Sequence, residues 1–405
     1  MTQQSEIRLT PLPSRSNKQL DPQFGRVVTG ISASQVAQLD PSSAMAEHIR
    51  TLLFTHSLLL FKNKGEIEPA SQLAITRVFD PTAPGFYGHE SNHSKHTQSV
   101  LHRDLSTCPT VPQVQIIGHG FVKEHAGLTN VTLKHPHHKT FHRDPVSQAD
   151  EDKGITRFYR WHIDAALYDL CAPIATTLHA VSVPKGDWQT VRYDDGSGQE
   201  LPVPLGGTAF ISGATAFDIL PPHLKSLAVR TRIKYAPHPY VWMSSARARP
   251  DGLGLYHENK ELPLTDLPPW TEDKIKILPM LWKNPATGRL HLQVHPSAIL
   301  EVHVDPLPAG VEAFEKDHYP SGAVISDLNE AREFVRLMQR PAINPEYVYA
   351  HDWEDGDFIA FHNRGVLHSV VGAFSENQVR IFHQCNLAAA VDPVGPDQQD
   401  IEQYC

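Results

Sequence analysis

Phe158-Tyr159-Arg160-Trp161-His162-Ile163-Asp164 is the stretch on which the fold turns. Its aromatic and β-branched residues favour an extended strand, where residues i and i+2 project from one face, so the His162 imidazole and the Asp164 carboxylate can converge on one cation. Two ligands do not complete a site. A distant histidine is needed, because two histidines and a carboxylate on one face of an octahedron leave three open positions, an arrangement suited to a catalytic ferrous ion. The candidate is His368, in Gly356-Asp357-Phe358-Ile359-Ala360-Phe361-His362-Asn363-Arg364-Gly365-Val366-Leu367-His368.

The spacing by itself is common in a chain with 25 histidines and 45 acidic residues, and His102/Asp104, His142/Asp144 and His303/Asp305 repeat it. The first two imitate a kinase catalytic loop, but no glycine-rich phosphate loop accompanies them. His303/Asp305 runs into Pro306 and Pro308, which end its strand. Only His162/Asp164 has a β-favouring lead-in and a second β-branched run, Ala175 to Val183, close behind. Because 204 positions separate residues 164 and 368 (368 − 164), their meeting implies a mainly β fold with flanking helices, of the jelly-roll kind that pairs early strands with late ones.

Outward from that centre, Phe24 to Ile31 reads as a short strand. Asp40-Pro41-Ser42-Ser43 opens a helix running to about Phe54, Leu58 to Lys62 is a buried strand, and Glu68 to Phe79 is a second helix. Residues 80 to 156 are read as turn-rich sequence around one strand, Val114-Gln115-Ile116-Ile117-Gly118. His135, His137, His138 and His142 there lack the paired spacing of a zinc site and are assigned to a solvated active-site loop. Asp194 to Gly198 is a tight turn, and 212–230 is helical but broken at Pro221-Pro222. A proline-rich elaboration follows, with a hairpin at 280–295 and a helix from Asp327 to Gln339. The expected organisation is a single catalytic domain over 1–405. Its core covers about 100–240 and 345–390, with helices at 40–80 and an insert at about 236–345.

The net charge of −9 and the dispersed cations exclude the basic face that nucleic acid or an anionic membrane requires. The longest apolar run, Leu52 to Phe61, is too short for a bilayer needing ~20 residues. Cys108, Cys171, Cys385 and Cys405 are too sparse for a disulfide framework and read as free thiols. With no basic-then-apolar leader at Met1 to Glu6, the expected compartment is cytoplasmic. A homo-oligomer is left open.

Arg380 lies in the alternating strand Gln378 to Asn386, and an arginine among apolar neighbours needs a carboxylate, which its planar fork suits bidentately. Thr190 can add a hydroxyl to the same carboxylate. Together, Trp161-His162-Ile163-Asp164, Thr190, Asn363-Arg364 through His368, and Arg380 resemble the taurine dioxygenase type of Fe(II)/2-oxoglutarate-dependent dioxygenases, which are built on a double-stranded β-helix. Phe158 to Val183, Tyr235 to Ser244 and Ala350 through Asn386 are most similar to the fungal branch of that family, which hydroxylates xanthine to urate.

The resemblance implies Fe(II) held by His162, Asp164 and His368, 2-oxoglutarate held through its far carboxylate by Arg380 and Thr190, and O2 as co-reactant. It places xanthine near Lys134, Glu151, Asp152, Gln384 and Asn386, with Gln113 less securely positioned, and the acids 150–152 are not told apart. Amides at Gln384 and Asn386 on one strand face suit a purine rim of alternating donors and acceptors. The same chemistry on a sulfonate, an aryloxyacetate or another heterocycle is the nearest alternative. A non-catalytic metal-binding jelly roll is the second.

Overall fold

The computed structural model describes residues 6–13, 20–63, 65–84, 106–135, 137–375 and 377–405, so His102 and Asp104 lie outside it. Strands β1 (Arg8–Pro11) and β2 (Arg26–Thr29) pair antiparallel. After the short α1 (Ala33–Val36) comes α2 (Ala44–His56), capped by the Ser43 hydroxyl. Ser57 ends it in the left-handed conformation, φ 61°, and the chain enters β3 (Leu58–Lys62), buried except at Lys62. Helix α3 (Pro69–Phe79) starts on the proline, whose missing N–H costs nothing there.

The expectation of a single strand in 80–156 is overturned. Strands β4 (Ser106–Cys108), β5 (Val111–His125) and β6 (Leu128–Leu133) form a long hairpin system, with α4 (His138–Phe141), α5 (Gln148–Glu151) and β7 (Ile155–Thr156) after it. Gly118 and Gly120 take φ of 153° and 95° and bend β5 in its middle. A Cβ on Gly118 would sit 1.8 Å from the Arg380 carbonyl oxygen, so only glycine fits. His138 and His142, placed by the sequence in a solvated loop, are each only 3% exposed.

The predicted strand over 158–164 is also corrected. The segment is extended but makes only isolated bridges, Phe158 with Val371 and His162 with His368. The Arg160 N–H is taken by the Ser369 hydroxyl and the Trp161 N–H by the Gly252 carbonyl, so no ladder can propagate.

Beyond it lie β8 (Ala175–Ser182), β9 (Gln189–Arg192), β10 (Glu200–Val203) and β11 (Thr208–Ser212), then α6 (Gly213–Asp218), α7 (Pro222–Val229), β12 (Thr231–Tyr235) and α8 (Pro239–Trp242). The 236–345 stretch supplies β13 (Ile277–Pro279), β14 (Leu281–Lys283), β15 (Leu290–Leu292), β16 (Ile299–Val304), β17 (Ala323–Ile325) and α9 (Leu328–Gln339). The chain closes with β18 (Tyr349–His351), β19 (Asp357–His362), β20 (Val366–Val370), β21 (Arg380–Asn386) and α10 (Gln398–Tyr404).

The large sheet runs β1-β2-β3-β19-β8-β21-β5-β4, and a smaller one, β18-β11-β20, faces it. Between them Phe210, Tyr349, Phe361, Phe382, Leu178 and Val366 are buried together, each contributing roughly 1.5–3 kcal/mol by leaving water. The 236–345 elements do not stand apart: Leu292, Val302 and Met338 share one apolar cluster with Trp161, Phe217 and Leu367.

Candidate active site

The site forms where the 158–164 segment crosses β20. His162 and His368 exchange backbone hydrogen bonds of 3.0 Å in both directions, which sets their rings 4.2 Å apart. Two residues on, the Asp164 backbone is clamped by Asn363. Its N–H donates to Asn363 Oδ1 (2.9 Å), while Asn363 Nδ2 donates to the Asp164 and Pro173 carbonyls (2.8 and 3.0 Å). The Asp164 Oδ1 that results lies 3.6 Å from His162 Nε2 and 3.7 Å from His368 Nε2. Oδ2 accepts from the Thr176 hydroxyl (2.9 Å) and from Gln384 Nε2 (3.2 Å).

These contacts fix protonation. Burial alone would raise the Asp164 carboxyl, but the His368 and His162 imidazoles beside it and the hydrogen bond from Thr176 outweigh burial and hold it well below the usual carboxylate range. Burial, then repulsion from His162, pushes His368 down to about 3, so at neutral pH its Nε2 lone pair is free to bind a metal. His162 Nδ1 lies 2.9 Å from the Arg160 carbonyl, which favours the tautomer that leaves Nε2 free.

Arg380 is 2% exposed, its guanidinium carbon lying 3.7 Å from the centroid of Phe382 and its Nε donating to Gly206 O at 3.3 Å. Burial lowers it to about 9, and no carboxylate among the described residues pairs with it. A buried, unpaired guanidinium is costly, so this pocket suits an anionic ligand.

A profile of the taurine catabolism dioxygenase TauD, TfdA family matches residues 16–386. The chain belongs to this dioxygenase family. It is 52% identical over 383 residues to an alpha-ketoglutarate-dependent xanthine dioxygenase of Emericella nidulans, covering 95% of this chain and 97% of that one. Identity to the protein of the same description in Neurospora crassa is 49% over 400 residues, covering 98% and 90%. A taurine dioxygenase structure from Burkholderia xenovorans superposes at TM-score 0.53 with 18% identity, covering 96% of this chain and 93% of that one, and shows the shared fold.

The other residues singled out from the sequence differ in how near they come to this triad. Gln384 touches Asp164 directly. Asn386, two residues along the same face of β21, is buried, and its Oδ1 accepts nothing among the described residues. Gln115 pairs with Gln384 across β5 and β21, so Gln113, two positions from it, looks out from the same sheet face. Thr190 pairs with Pro202 and Ile155. Its neighbour Gln189 holds Ala373 by two 3.1 Å hydrogen bonds, in the 372–373 turn that lies against Gly206 and hence against Arg380.

Lys134 is exposed at the end of β6. Glu151 turns to His138 Nε2 (2.7 Å), His137 Nε2 (3.4 Å) and Lys139. Asp152 is the exposed C-cap of α5 and accepts from Gln148.

Sequence reasoning missed Arg160, Tyr240 and His295. The Arg160 guanidinium lies 5.3 Å from the Tyr240 ring centroid, and His295 sits 6.2 Å from His162 with both ring nitrogens buried and unbonded among the described residues. His295 belongs to the 236–345 stretch, where nothing in the sequence tied it to residue 162.

Proposed function

We propose that this chain is an Fe(II)- and 2-oxoglutarate-dependent xanthine dioxygenase, with His162, Asp164 and His368 as the iron ligands. The observation that carries the reading is the convergence of two imidazoles and one carboxylate, with His162 Nδ1 engaged by the Arg160 carbonyl and Asp164 Oδ2 by Thr176 and Gln384. Such a donor set fits ferrous iron with open coordination positions. The near-full-length identity to relatives described as xanthine dioxygenases supports the substrate.

Overall, xanthine, 2-oxoglutarate and O2 give urate, succinate and CO2; iron, when bound, supplies the activation of O2 that the side chains cannot. The chain's residues bind and orient. Arg380 offers a desolvated cation to the distal carboxylate of 2-oxoglutarate, with Thr190 proposed as its hydroxyl partner. Gln384 is placed both to steady Asp164 and to face the substrate, and Asn386 and Gln113 extend the same amide-bearing face toward the purine rim. Lys134, Glu151 and Asp152 are proposed to complete that rim.

The test is anaerobic addition of Fe(II) and 2-oxoglutarate, expected to give a weak visible charge-transfer band, followed by aerobic turnover yielding urate and succinate from xanthine. A band with succinate formed only from a sulfonate or aryloxyacetate would overturn the substrate. A fully active His368→Ala variant would overturn the site.

A further inference from the structure

The opposite face of the large sheet holds a second convergence of metal-ligating side chains. Along β21, Gln384 reaches Asp164, so its neighbours His383 and Cys385 point the other way. There the bend at Gly118 and Gly120 folds the β5–β6 hairpin back over the sheet. Val122 and Leu133 bury against Val114, Ile116 and Cys385, and Cys108 Sγ meets Ala126 O at 3.5 Å. The fold-back lands His125 on His383, with their Nε2 atoms 2.7 Å apart and ring centroids 4.9 Å apart.

Glu66, from the segment before α3, brings Oε1 to 3.7 Å from His125 Nε2. A third histidine orders that segment: His179 Nε2 accepts the Ile67 N–H at 3.0 Å while its Nδ1 lies 3.3 Å from Asp357 O. The Glu66 backbone is therefore held by a buried imidazole, in the manner of residues that orient metal ligands from behind.

We infer that Glu66, His125 and His383 bind a divalent transition-metal ion of the zinc type, at a site separate from the His162/Asp164/His368 centre. The three ligand atoms lie within 4.8 Å of one another. Two imidazoles and a carboxylate, with water as fourth ligand, match tetrahedral zinc and disfavour the all-oxygen cations. Metal–ligand distances near 2.1 Å place tetrahedral donor atoms about 3.4 Å apart, so Glu66 Oε1 at 3.7 Å is close to position relative to His125 and the two imidazoles must part by roughly 0.7 Å. His125, at the hairpin end, and the half-exposed Glu66 can make that adjustment.

Without metal, the 2.7 Å contact is an N–H···N hydrogen bond between the two rings; with metal, that proton moves to an Nδ1. On His383 this Nδ1 has no partner among the described residues, which lowers affinity below that of a site with complete outer hydrogen bonds. The bound ion would tie together the hairpin leading to Lys134, the start of α3, and the strand that carries Arg380 and Gln384.

Zn(II) uptake by the metal-free chain, followed by calorimetry, tests this. Two equivalents are expected in the unsubstituted chain and one in His162→Ala/His368→Ala, where Co(II) should give the intense visible bands of tetrahedral coordination. In that background Glu66→Gln should weaken binding at least about tenfold and His125→Ala should abolish it, along with the rise in Tm that Zn(II) produces. Because Glu66 is half-exposed, Glu66→Gln keeps the test interpretable if His125→Ala fails to fold. No uptake in the double variant would overturn the inference. So would uptake indifferent to Glu66 and His125, or lost instead on His138→Ala, which breaks the separate His137/His138/Glu151 group.

Discussion

Asn363→Ala should uncouple the Asp164 carboxylate from the rest of the site while leaving every proposed ligand in the chain. Asn363 is fully buried and makes three hydrogen bonds of 2.8 to 3.0 Å, two to the Asp164 backbone and one to Pro173. Its truncation strands one N–H and two carbonyls away from water. At about 0.5–1.5 kcal/mol net per bond the loss is roughly 1.5–4.5 kcal/mol, toward the upper end because the orphaned groups stay buried. The Thr176 and Gln384 hydrogen bonds to Oδ2 survive, so the carboxylate remains nearby but its backbone is free to shift. Metal affinity should then fall by about 10–100-fold, as when other outer-shell partners are removed. Urea unfolding of metal-free protein gives the first quantity, and anaerobic Fe(II) titration in saturating 2-oxoglutarate gives the second. A variant that loses stability but binds Fe(II) like the parent refutes the idea that the clamp sets the ligand.

The remaining predictions address other parts of the site and scaffold. Arg380→Lys should raise the KM for 2-oxoglutarate at least about tenfold, because the bidentate fork is lost and a charge-assisted bond is worth about 1.5–3 kcal/mol; an unchanged KM counts against the assigned pocket. Gly118→Ala should destabilise by roughly 2 kcal/mol or more, since its Cβ would meet Arg380 O at 1.8 Å at a φ of 153°, and a parent-like urea midpoint would show that β5 need not bend there. Burial pushes His142, His179 and His291 down to about 4, so between that value and the free value near 6.5 the unfolded chain binds more protons. Stability is therefore fully present above about pH 6.5 and drains as pH falls toward 4, with a slope of up to about 1.4 kcal/mol per pH unit for each group. Urea midpoints that stay flat from about pH 7 to about pH 5 would contradict the neutral buried assignments.

The triad was legible because it needs little beyond extended backbone. The i, i+2 spacing of His162 and Asp164 survives even though 158–164 is no regular strand, since Ser369, Gly252 and Asn363 hold the segment extended by long-range contacts that no local pattern announces. The same physics hid β5 and β6. Bent at Gly118 and Gly120, with Val122 and Leu133 buried against the hairpin's own sheet, β5 turns the apolar Phe121 to solvent and buries the polar Gln115, so residue type does not mark its buried face. His295 was invisible for a third reason. Its place beside His162 depends on the 236–345 elements packing into the cluster that buries Trp161, and an apolar pattern records that a residue is buried without recording against what.

Strand β21 joins these observations. Reading Gln378 to Asn386 as alternating was correct in period, and the period put Arg380, Gln384 and Asn386 on the face that meets Asp164. The other face holds apolar core at Cys385, among Val114 and Ile116, but not at His383. A fully buried imidazole lowered to about 3, in contact with a second histidine and near a glutamate, is not what apolar packing alone would place there. Arg380 and Gln384, the proposed 2-oxoglutarate and substrate contacts, sit within three residues of His383 on one strand, so a shift of β21 at His383 would reach them. If Zn(II) at the outer cluster is the tie, its removal should raise the KM for 2-oxoglutarate in parallel with the fall in Tm, and a Tm that drops while KM stays constant would show that the hairpin and the pocket move independently.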